Sequence, residues 1–263
     1  MDPLDPALTA WLENWLSAAA LVFLRLAPIV LWTPIFGGQG TPRRYRIGLA
    51  LFLALGLAPL ALPAVLAGDA SLAGAPVLVG ELLIGITIAV LVRLVFDLLA
   101  TVGALIDGAR GAMSAQLLDP LTRSGTPPLA LFYSQLSLVL FFAVGGHELL
   151  FDALDASFVA APPGAALGSN LLLEGASETA LRSLSELFLI AVTLAAPVFA
   201  VLLVVDVALA LANRAAPQIQ VFFLGMSVKG VLGIGVALLT LGVGFDAVVR
   251  VAMERVVALC GGG

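Results

Sequence analysis

Six charged side chains interrupt the long apolar stretches of this 263-residue chain, and their chemistry is the first thing the sequence must explain. They are Arg25, Glu81, Arg93, Asp97, Asp206 and Lys229. A charged group at the centre of a lipid-facing helix costs about 2.5–3.5 kcal/mol, so six unpaired ones would cost roughly 15–20 kcal/mol. We therefore expect these side chains to form ion pairs, to line water, or to be covered by other subunits.

Spacing along the chain separates these six residues into two kinds. Arg93 and Asp97 are four residues apart, which places them on one helix face where they can pair. Glu81, Asp206 and Lys229 have no partner nearby in sequence, and this favours a contact between subunits or a water-lined path. Arg25 is expected among the same buried charges.

A polar stretch from residue 106 to residue 128 lies between two apolar runs and is rich in glycine and proline. Glycine opens backbone conformations closed to other residues, and proline cannot continue a helical ladder. The stretch is consistent with a gate or plug among apolar helices, and equally with a connector on the solvent side. Met113 could seal a pore, because its flexible thioether fills irregular gaps, or could simply pack. The candidate plug residues are Asp107, Gly108, Arg110, Gly111, Met113, Asp119, Pro120 and Arg123.

A second polar cluster runs from residue 213 to residue 220. Arg214 and Gln218 lie on either side of Pro217. They are predicted either to cap or cross-link a helix turn before the proline, or to contact another subunit.

Residue types needed for enzyme chemistry are scarce. The chain has one cysteine, Cys260, and one histidine, His147, so it forms no intrachain disulfide and offers no His/Cys metal cluster. Phosphate-loop, dinucleotide-binding, zinc-protease and nucleophile-elbow patterns are absent from the sequence. With a net charge of −5 and no long basic tract, nucleic acid is not an expected partner. We predict no enzyme activity, no cofactor and no metal.

Composition places the chain among polytopic membrane proteins. It is 61% hydrophobic and 11% charged, with a mean hydropathy of +1.14, against about 25% charged residues in a typical soluble domain. The apolar runs are continuous rather than alternating, which favours helices over a membrane barrel. The predicted fold is all-α, with about six hydrophobic, partly kinked helices arranged as hairpins. Residues 147–182 are expected to form an acidic hydrophilic loop.

Orientation is predicted from the basic cluster at residues 43–46. The positive-inside bias puts this cluster in the cytoplasm and the acidic N-terminus and residues 147–182 outside. One final crossing would leave Arg250 and Arg255 outside, against the bias. Either the last apolar stretch is a hairpin or the segments do not each cross the membrane in the ordinary way.

Short motifs that lie in order along nearly the whole chain carry a family resemblance. The segments are Arg25–Pro28, Pro34–Gly37, Pro42–Arg43, Arg46–Ala50, Gly80–Gly85, Ile106–Met113, Leu118–Leu121, Ser124–Pro127, Gly145–His147, Leu154–Phe158, Asn213–Leu224 and Ser227–Lys229. Together they resemble the type III secretion export-apparatus proteins called FliR in flagella and SctT (the YscT/HrcT-like proteins) in injectisomes. The central motifs resemble the injectisome branch more. One departure is Gln220, where the family pattern has Asn.

This resemblance implies a role and partners that the spacing arguments do not supply. It implies a single-copy structural subunit of the export gate in the bacterial inner membrane, assembled with FliP/SctR-, FliQ/SctS- and FlhB/SctU-type proteins. Unfolded secreted proteins would pass through the resulting channel. Residues 1–182 would be similar to the FliP/SctR type, and residues 183–263 would form a hairpin similar to the FliQ/SctS type. Residues 107–123 would plug the closed pore, and the raised position of such an assembly would account for the orientation conflict.

A different function class stays open at this stage. The chain could be an independent solute or ion transporter, with Glu81, Arg93, Asp97 and Asp206 forming a coupling-ion path. Such carriers usually contain internal repeats with broken helices at matching places. The two halves of this sequence show no clear match, since Pro197 has no counterpart in the first half.

Overall fold

The apolar runs of the sequence form helices in the computed structural model, which describes residues 5–37, 40–66, 75–111, 127–143, 145–163, 170–216 and 224–240. Within these residues there is no strand, and the predicted all-α fold is confirmed. The helices are α1 (Pro6–Trp32), a 3-10 turn (Pro34–Phe36), α2 (Arg43–Leu66), α3 (Ala75–Ala109), α4 (Pro128–Ala143), α5 (Gly146–Ala160), α6 (Asn170–Ala215) and α7 (Leu224–Thr240).

Four of the described helices are long and apolar enough to cross a membrane. These are α1, α2, α3 and the part of α6 from Val192 to Ala215. A fifth span results if α4 and α5 are counted together. A helix rises 1.5 Å per residue, so the 24 residues of α2 extend about 36 Å, enough for a hydrocarbon layer of about 30 Å.

Small residues let α2 lie close to α1. The buried side of α2 consists of Ala50, Ala54, Ala58, Ala61 and Val65, which recur every three or four residues and so share one helix face. Small side chains allow two helix backbones to approach closely, which is the usual way in which membrane helices gain packing contacts. The larger apolar side chains of α2 are on its outer face.

The described residues of the acidic region 147–182 are mostly helical, and the prediction of a loop there was wrong. They comprise most of α5, the non-helical residues 161–163 and the first part of α6. In α5 the acidic residues Glu148, Asp152 and Asp155 are exposed, whereas Leu150 and Leu154 are buried. This spacing is that of an amphipathic helix, so acidic residues that look like loop residues in sequence form one solvent-facing stripe.

Chain packing divides the protein into two compact units. The first comprises Met1–Leu94, Gly145–Ser183 and Ala252–Gly263; the second comprises Val95–Val144 and Leu184–Val251. The first unit contains α1, α2 and α5, the second contains α4 and α7, and α3 and α6 contribute residues to both. The predicted division at residues 182/183 concerns likeness to two partner proteins, which packing within one chain does not test, and it stays a prediction.

Candidate functional site

One buried carboxylate joins the two described ends of the central polar stretch. Asp107, in the last turn of α3, is fully buried. Its Oδ2 accepts a hydrogen bond of 2.6 Å from the backbone N–H of Leu129, the second residue of α4. Its Oδ1 accepts from Nε of Arg110 at 2.7 Å and lies 2.5 Å from Nη2 of the same guanidinium. We call Asp107, Arg110 and Leu129 the Asp107 junction.

The Asp107 junction supplies what the start of α4 lacks. The first amides of a helix have no partner within the helix, and a buried one left without a partner is costly. Proline at position 128 has no N–H, so Leu129 carries the first amide of α4 that needs an acceptor. Asp107 provides that acceptor from another helix, which fixes the beginning of α4 to the end of α3.

Two glycines, one in α3 and one in the turn that follows it, fit this arrangement. A β-carbon at Gly103, one turn before Asp107, would lie 2.6 Å from the backbone oxygen of Leu129, so only glycine allows the approach. Gly111 has φ +79°, and its N–H donates to the carbonyl of Gly108 at 3.1 Å. A glycine in this left-handed conformation just past the last helical residue is a common way for a helix to end.

The structure therefore places the predicted plug residues in different parts of the chain rather than in one loop. Asp107 and Gly108 belong to α3, and the expectation that they lie in a loop was wrong because Asp107 gains two buried partners by staying helical. Arg110 and Gly111 form the turn that follows α3. The remaining candidates, Met113, Asp119, Pro120 and Arg123, lie outside the described residues.

Helix α7 contacts the same region of the second unit. A β-carbon at Gly233 would lie 3.7 Å from Cδ of Arg110 and 3.6 Å from Cδ2 of Leu202 in α6. The hydroxyl of Tyr133 in α4 donates to the carbonyl of Ala237 in α7 at 3.2 Å. The Asp107 junction is thus held within a set of packed helices rather than on a free surface.

A second cluster of polar contacts surrounds Arg25 in the first unit. Arg25 is fully buried, and its Nε donates to Oε2 of Glu81 in α3 at 2.7 Å. Its two terminal nitrogens donate to the carbonyls of Ser157 at 2.9 Å and Ala161 at 2.8 Å, at the end of α5. Its guanidinium carbon lies 4.6 Å from the centre of the Phe158 ring. We call these residues the Arg25 cluster.

Glycine again permits the close approach that the Arg25 cluster needs. Gly85 lies one turn beyond Glu81, on the same face of α3. A β-carbon there would lie 2.2 Å from the carbonyl oxygen of Arg25. The backbones of α1 and α3 therefore nearly touch where the ion pair forms. In α3 an acidic residue and a glycine recur four residues apart at both sites.

The third charged pair is much more exposed. Nζ of Lys229 in α7 forms a salt bridge with Oδ1 of Asp206 in α6. The Asp206 side chain is 50% exposed and the Lys229 side chain 18%. The carboxylate therefore keeps a large open side on an otherwise apolar helix.

Four predicted residues complete the set: two in the interior of α3, one in the last turn of α6 and one further along the chain. Arg93 is exposed and donates to the carbonyl of Trp32 at 3.5 Å, and Asp97 is exposed one turn further along α3. Arg214 is exposed in the last turn of α6, where a positive charge interacts favourably with the helix dipole. Gln218 lies outside the described residues. The roles of these residues in subunit contacts stay predictions.

Sequence reasoning missed the partners of Glu81, Asp206 and Lys229, all of which lie within this chain. Arg25 and Glu81 are separated by 56 residues, and no local spacing rule joins them. A glycine lies four residues from each of the buried acids Glu81 and Asp107. This spacing was the available signal in the sequence, because such a glycine indicates that another backbone comes close. In the part of the chain that the structure describes, no three His, Cys, Asp or Glu side chains are grouped to hold a metal.

Comparison with known proteins identifies one family over most of the chain. Residues 16–254 match the family model described as bacterial export proteins, family 1. The chain is 34% identical over 229 residues to the flagellar biosynthetic protein FliR of Caulobacter vibrioides, covering 85% of this chain and 88% of that protein.

Two Salmonella typhimurium proteins are also similar. The surface presentation of antigens protein SpaR is 29% identical over 234 residues, covering 87% of this chain and 84% of SpaR. The secretion system apparatus protein SsaT is 28% identical over 238 residues, covering 89% and 88% respectively. The predicted resemblance to the FliR/SctT family is confirmed.

Proposed function

Because this chain belongs to the bacterial export proteins, family 1, we propose that it is a single-copy structural subunit of a type III secretion export gate in the bacterial inner membrane. The observation that carries the proposal is the extent of the family match. Residues 16–254 include residues 16–32 of α1 and every later described helix, so the likeness extends over most of the helical chain and is not confined to one motif.

The proposed role is a passive conduit for unfolded export substrates. The support is that the matching family is described as bacterial export proteins, and that the relatives are named for flagellar biosynthesis, surface presentation of antigens and a secretion system apparatus. The proposed partners are FliP/SctR-, FliQ/SctS- and FlhB/SctU-type membrane proteins. The large exposed apolar side chains of α6 and α7 are compatible with partner helices covering part of the chain.

We further propose that residues 107–123 act as the pore plug, with the Asp107 junction as its base. The support is that one buried carboxylate accepts from Arg110, inside this stretch, and from the backbone amide of Leu129, six residues beyond it. Holding two points of a chain together lowers the number of conformations open to the residues between them.

The plug is tested by conductance of the assembled complex in planar bilayers. Deleting residues 108–119 should produce a leak to ions or small solutes in the closed state. Asp107→Asn keeps the side-chain shape but removes the charge that holds Arg110, so it should give a smaller leak. Asp152→Asn is the matched control, since Asp152 is an exposed aspartate of α5. Unchanged closed-state conductance in the deletion would reject the plug.

The structural role itself is tested separately by coexpression. If the chain is a gate subunit, its yield as a monodisperse protein in detergent should depend on FliP- and FliQ-type partners from the same genome. A stable monomer that binds a small molecule by itself would support the independent transporter instead.

The comparisons also bear on whether the chain belongs to the flagellar or the injectisome branch of the family. Of the three relatives described above, the flagellar protein shares 34% identity and the two Salmonella proteins 29% and 28%. These values do not favour the predicted injectisome branch. Complementation of a flagellar fliR deletion and of an injectisome counterpart, assayed by motility and by secretion, would assign it.

A further inference from the structure

The basic cluster at the start of α2 has three arginines with different surroundings. Arg46 is partly buried and donates to the carbonyl of Leu31 in the last turn of α1, at 2.9 Å, and to that of Gly37 just after the 3-10 turn. Helix ends leave carbonyls without partners, so Arg46 is used by the fold. Arg43 and Arg44 are exposed, and neither forms an ion pair with the described part of the chain.

Aromatic side chains lie at the same level as these arginines. Tyr45 is 60% exposed, with its ring 5.1 Å from the guanidinium carbon of Arg44. Trp32, the last residue of α1, is 46% exposed. Tyr and Trp are enriched where the hydrocarbon layer meets the headgroups, because one side of each ring is apolar and the other carries a polar atom.

Spacing along α1 places Trp32 at such a boundary. Trp11, near the other end of α1, is 53% exposed and stacks on Trp15 with ring centres 6.3 Å apart. The 21 residues from Trp11 to Trp32 span about 31 Å at 1.5 Å per residue, close to the hydrocarbon thickness of about 30 Å. The two ends of α1 therefore match the two membrane interfaces.

The surface beside the arginines continues as an apolar face. Ile47, Leu51 and Phe52 are exposed on α2, and Phe52 is 71% exposed. The opposite side of α2 is the alanine stripe that packs within the first unit. A molecule bound here would meet two positive charges at one end and hydrocarbon side chains immediately below, which are the two parts of a phospholipid.

We propose that Arg43 and Arg44, with Tyr45 and the outer face of α2, bind an anionic phospholipid. The guanidinium groups contact the phosphate, for which the planar fork of donors is well suited. The acyl chains lie against Ile47, Leu51 and Phe52. Arg93 also reaches Trp32, but Asp97 is one helical turn away on α3, so Arg93 is not counted as a ligand. An acidic protein surface fits less well, because its polar groups would face the apolar side chains of α2.

The test measures lipid preference with the purified full-length chain in detergent. Phosphatidylglycerol with a pyrene-labelled acyl chain is titrated in, and energy transfer from tryptophan reports binding. Phosphatidylcholine with the same label is the neutral comparison. We expect phosphatidylglycerol to bind more tightly, and Arg43→Gln and Arg44→Gln each to reduce that preference about fivefold, from the usual contribution of one basic residue at an anionic membrane surface.

Control variants separate charge from folding. Arg43→Lys with Arg44→Lys keeps both charges and should retain most of the preference. Arg214→Gln removes an equally exposed arginine from the end of α6 and should leave the preference unchanged. Equal binding of the two lipids, a double glutamine variant with undiminished preference, or full competition by millimolar inorganic phosphate would each overturn the proposal. The inference does not depend on the export role.

Discussion

Arg25 and Lys229 are both cations inside apolar helices, and the protein treats them in opposite ways. Arg25 is fully buried, faces Glu81, and donates to two carbonyls at the end of α5. Lys229 has one described ionic partner, Asp206, which is half exposed. The first charge is enclosed by three helices of one unit, and the second lies on the outer side of a two-helix contact in the other.

The difference shows which charges the chain satisfies by itself. A buried ion pair contributes to stability only when its remaining hydrogen-bonding groups also find partners, and the Arg25 cluster meets that condition. An exposed pair contributes little. Asp206 therefore keeps an open carboxylate face that is available to a neighbour, as expected for a subunit contact, whereas Arg25 has no such open side.

The largest expected effect comes from breaking the Arg25 cluster. Glu81→Gln leaves the guanidinium buried without its counter-charge, and removing one partner of a buried pair typically costs about 3–5 kcal/mol. We expect most of the protein to be lost to misfolding, with a large fall in the unfolding midpoint of what remains. Thermal or denaturant unfolding in detergent measures this.

A double variant makes the same test sharper. Arg25→Met with Glu81→Leu removes both charges and should recover part of the loss, since a buried pair can often be replaced by apolar residues of similar size. If Glu81→Gln unfolds like the parent protein, the cluster is not important for stability and the contrast with Lys229 fails.

The second-largest loss of stability is expected at the close backbone contact between α1 and α3, next to the Arg25 cluster. Gly85→Ala places a β-carbon 2.2 Å from a backbone oxygen of Arg25, so the two helices must separate. Overpacking of this kind costs about 1–3 kcal/mol. Gly56→Ala in α2 is the matched control, because nothing lies within 4 Å of its β-carbon. There alanine should stabilise the helix by up to about 1 kcal/mol, and equal unfolding midpoints for the two variants would contradict this prediction.

Breaking the Asp107 junction should lower the stability of the protein by an intermediate amount. Its carboxylate is buried, but Arg110 is 11% exposed and can turn toward water. Asp107→Ala removes the acceptor for the Leu129 amide, and the loss of such a capping contact costs about 0.5–2 kcal/mol. Hydrogen exchange at Leu129 and in the first turn of α4 should increase, with little change in α2. Unchanged exchange would mean that Asp107 does not hold the start of α4.

The smallest effect on stability is expected at the exposed pair. Asp206→Asn should change the free energy of unfolding by less than about 1 kcal/mol, since half of the carboxylate is already exposed. If Asp206 also contacts a partner subunit, recovery of the coexpressed complex should fall more than the stability of the isolated chain. A severe loss of stability in the isolated chain would remove the contrast with Arg25.

Sequence patterns predicted the helices well where the chain is uniformly apolar. Two of the continuous apolar runs from which helices are predicted, residues 47–67 and 76–106, correspond to α2 and α3, with ends within a few residues. Errors arose where polar residues are helical. Asp107 looked like a loop residue because its two partners, Arg110 and Leu129, become visible only when α3 and α4 are packed.

The candidate site was predictable only in part. The six charges in apolar runs were correctly singled out, yet the pairs Arg25–Glu81 and Asp206–Lys229 join residues that no helical periodicity relates. Such pairs depend on how helices are arranged in space. The stripe of Glu148, Asp152 and Asp155 in α5 did carry a usable local signal, because its three-to-four residue spacing alternates with buried leucines.

The distance in sequence between Arg25 and its partners at the end of α5 has a consequence for biosynthesis. Ser157 is 132 residues further along the chain, so at about 5–20 residues per second the ribosome needs roughly 7–26 s to produce it after Arg25. Glu81 is made within that interval, but the carbonyls of Ser157 and Ala161 that accept from the two terminal nitrogens of Arg25 are not. A product released before α5 keeps those two nitrogens without their acceptors, and so differs chemically from a finished chain in a way that membrane proteases can act on.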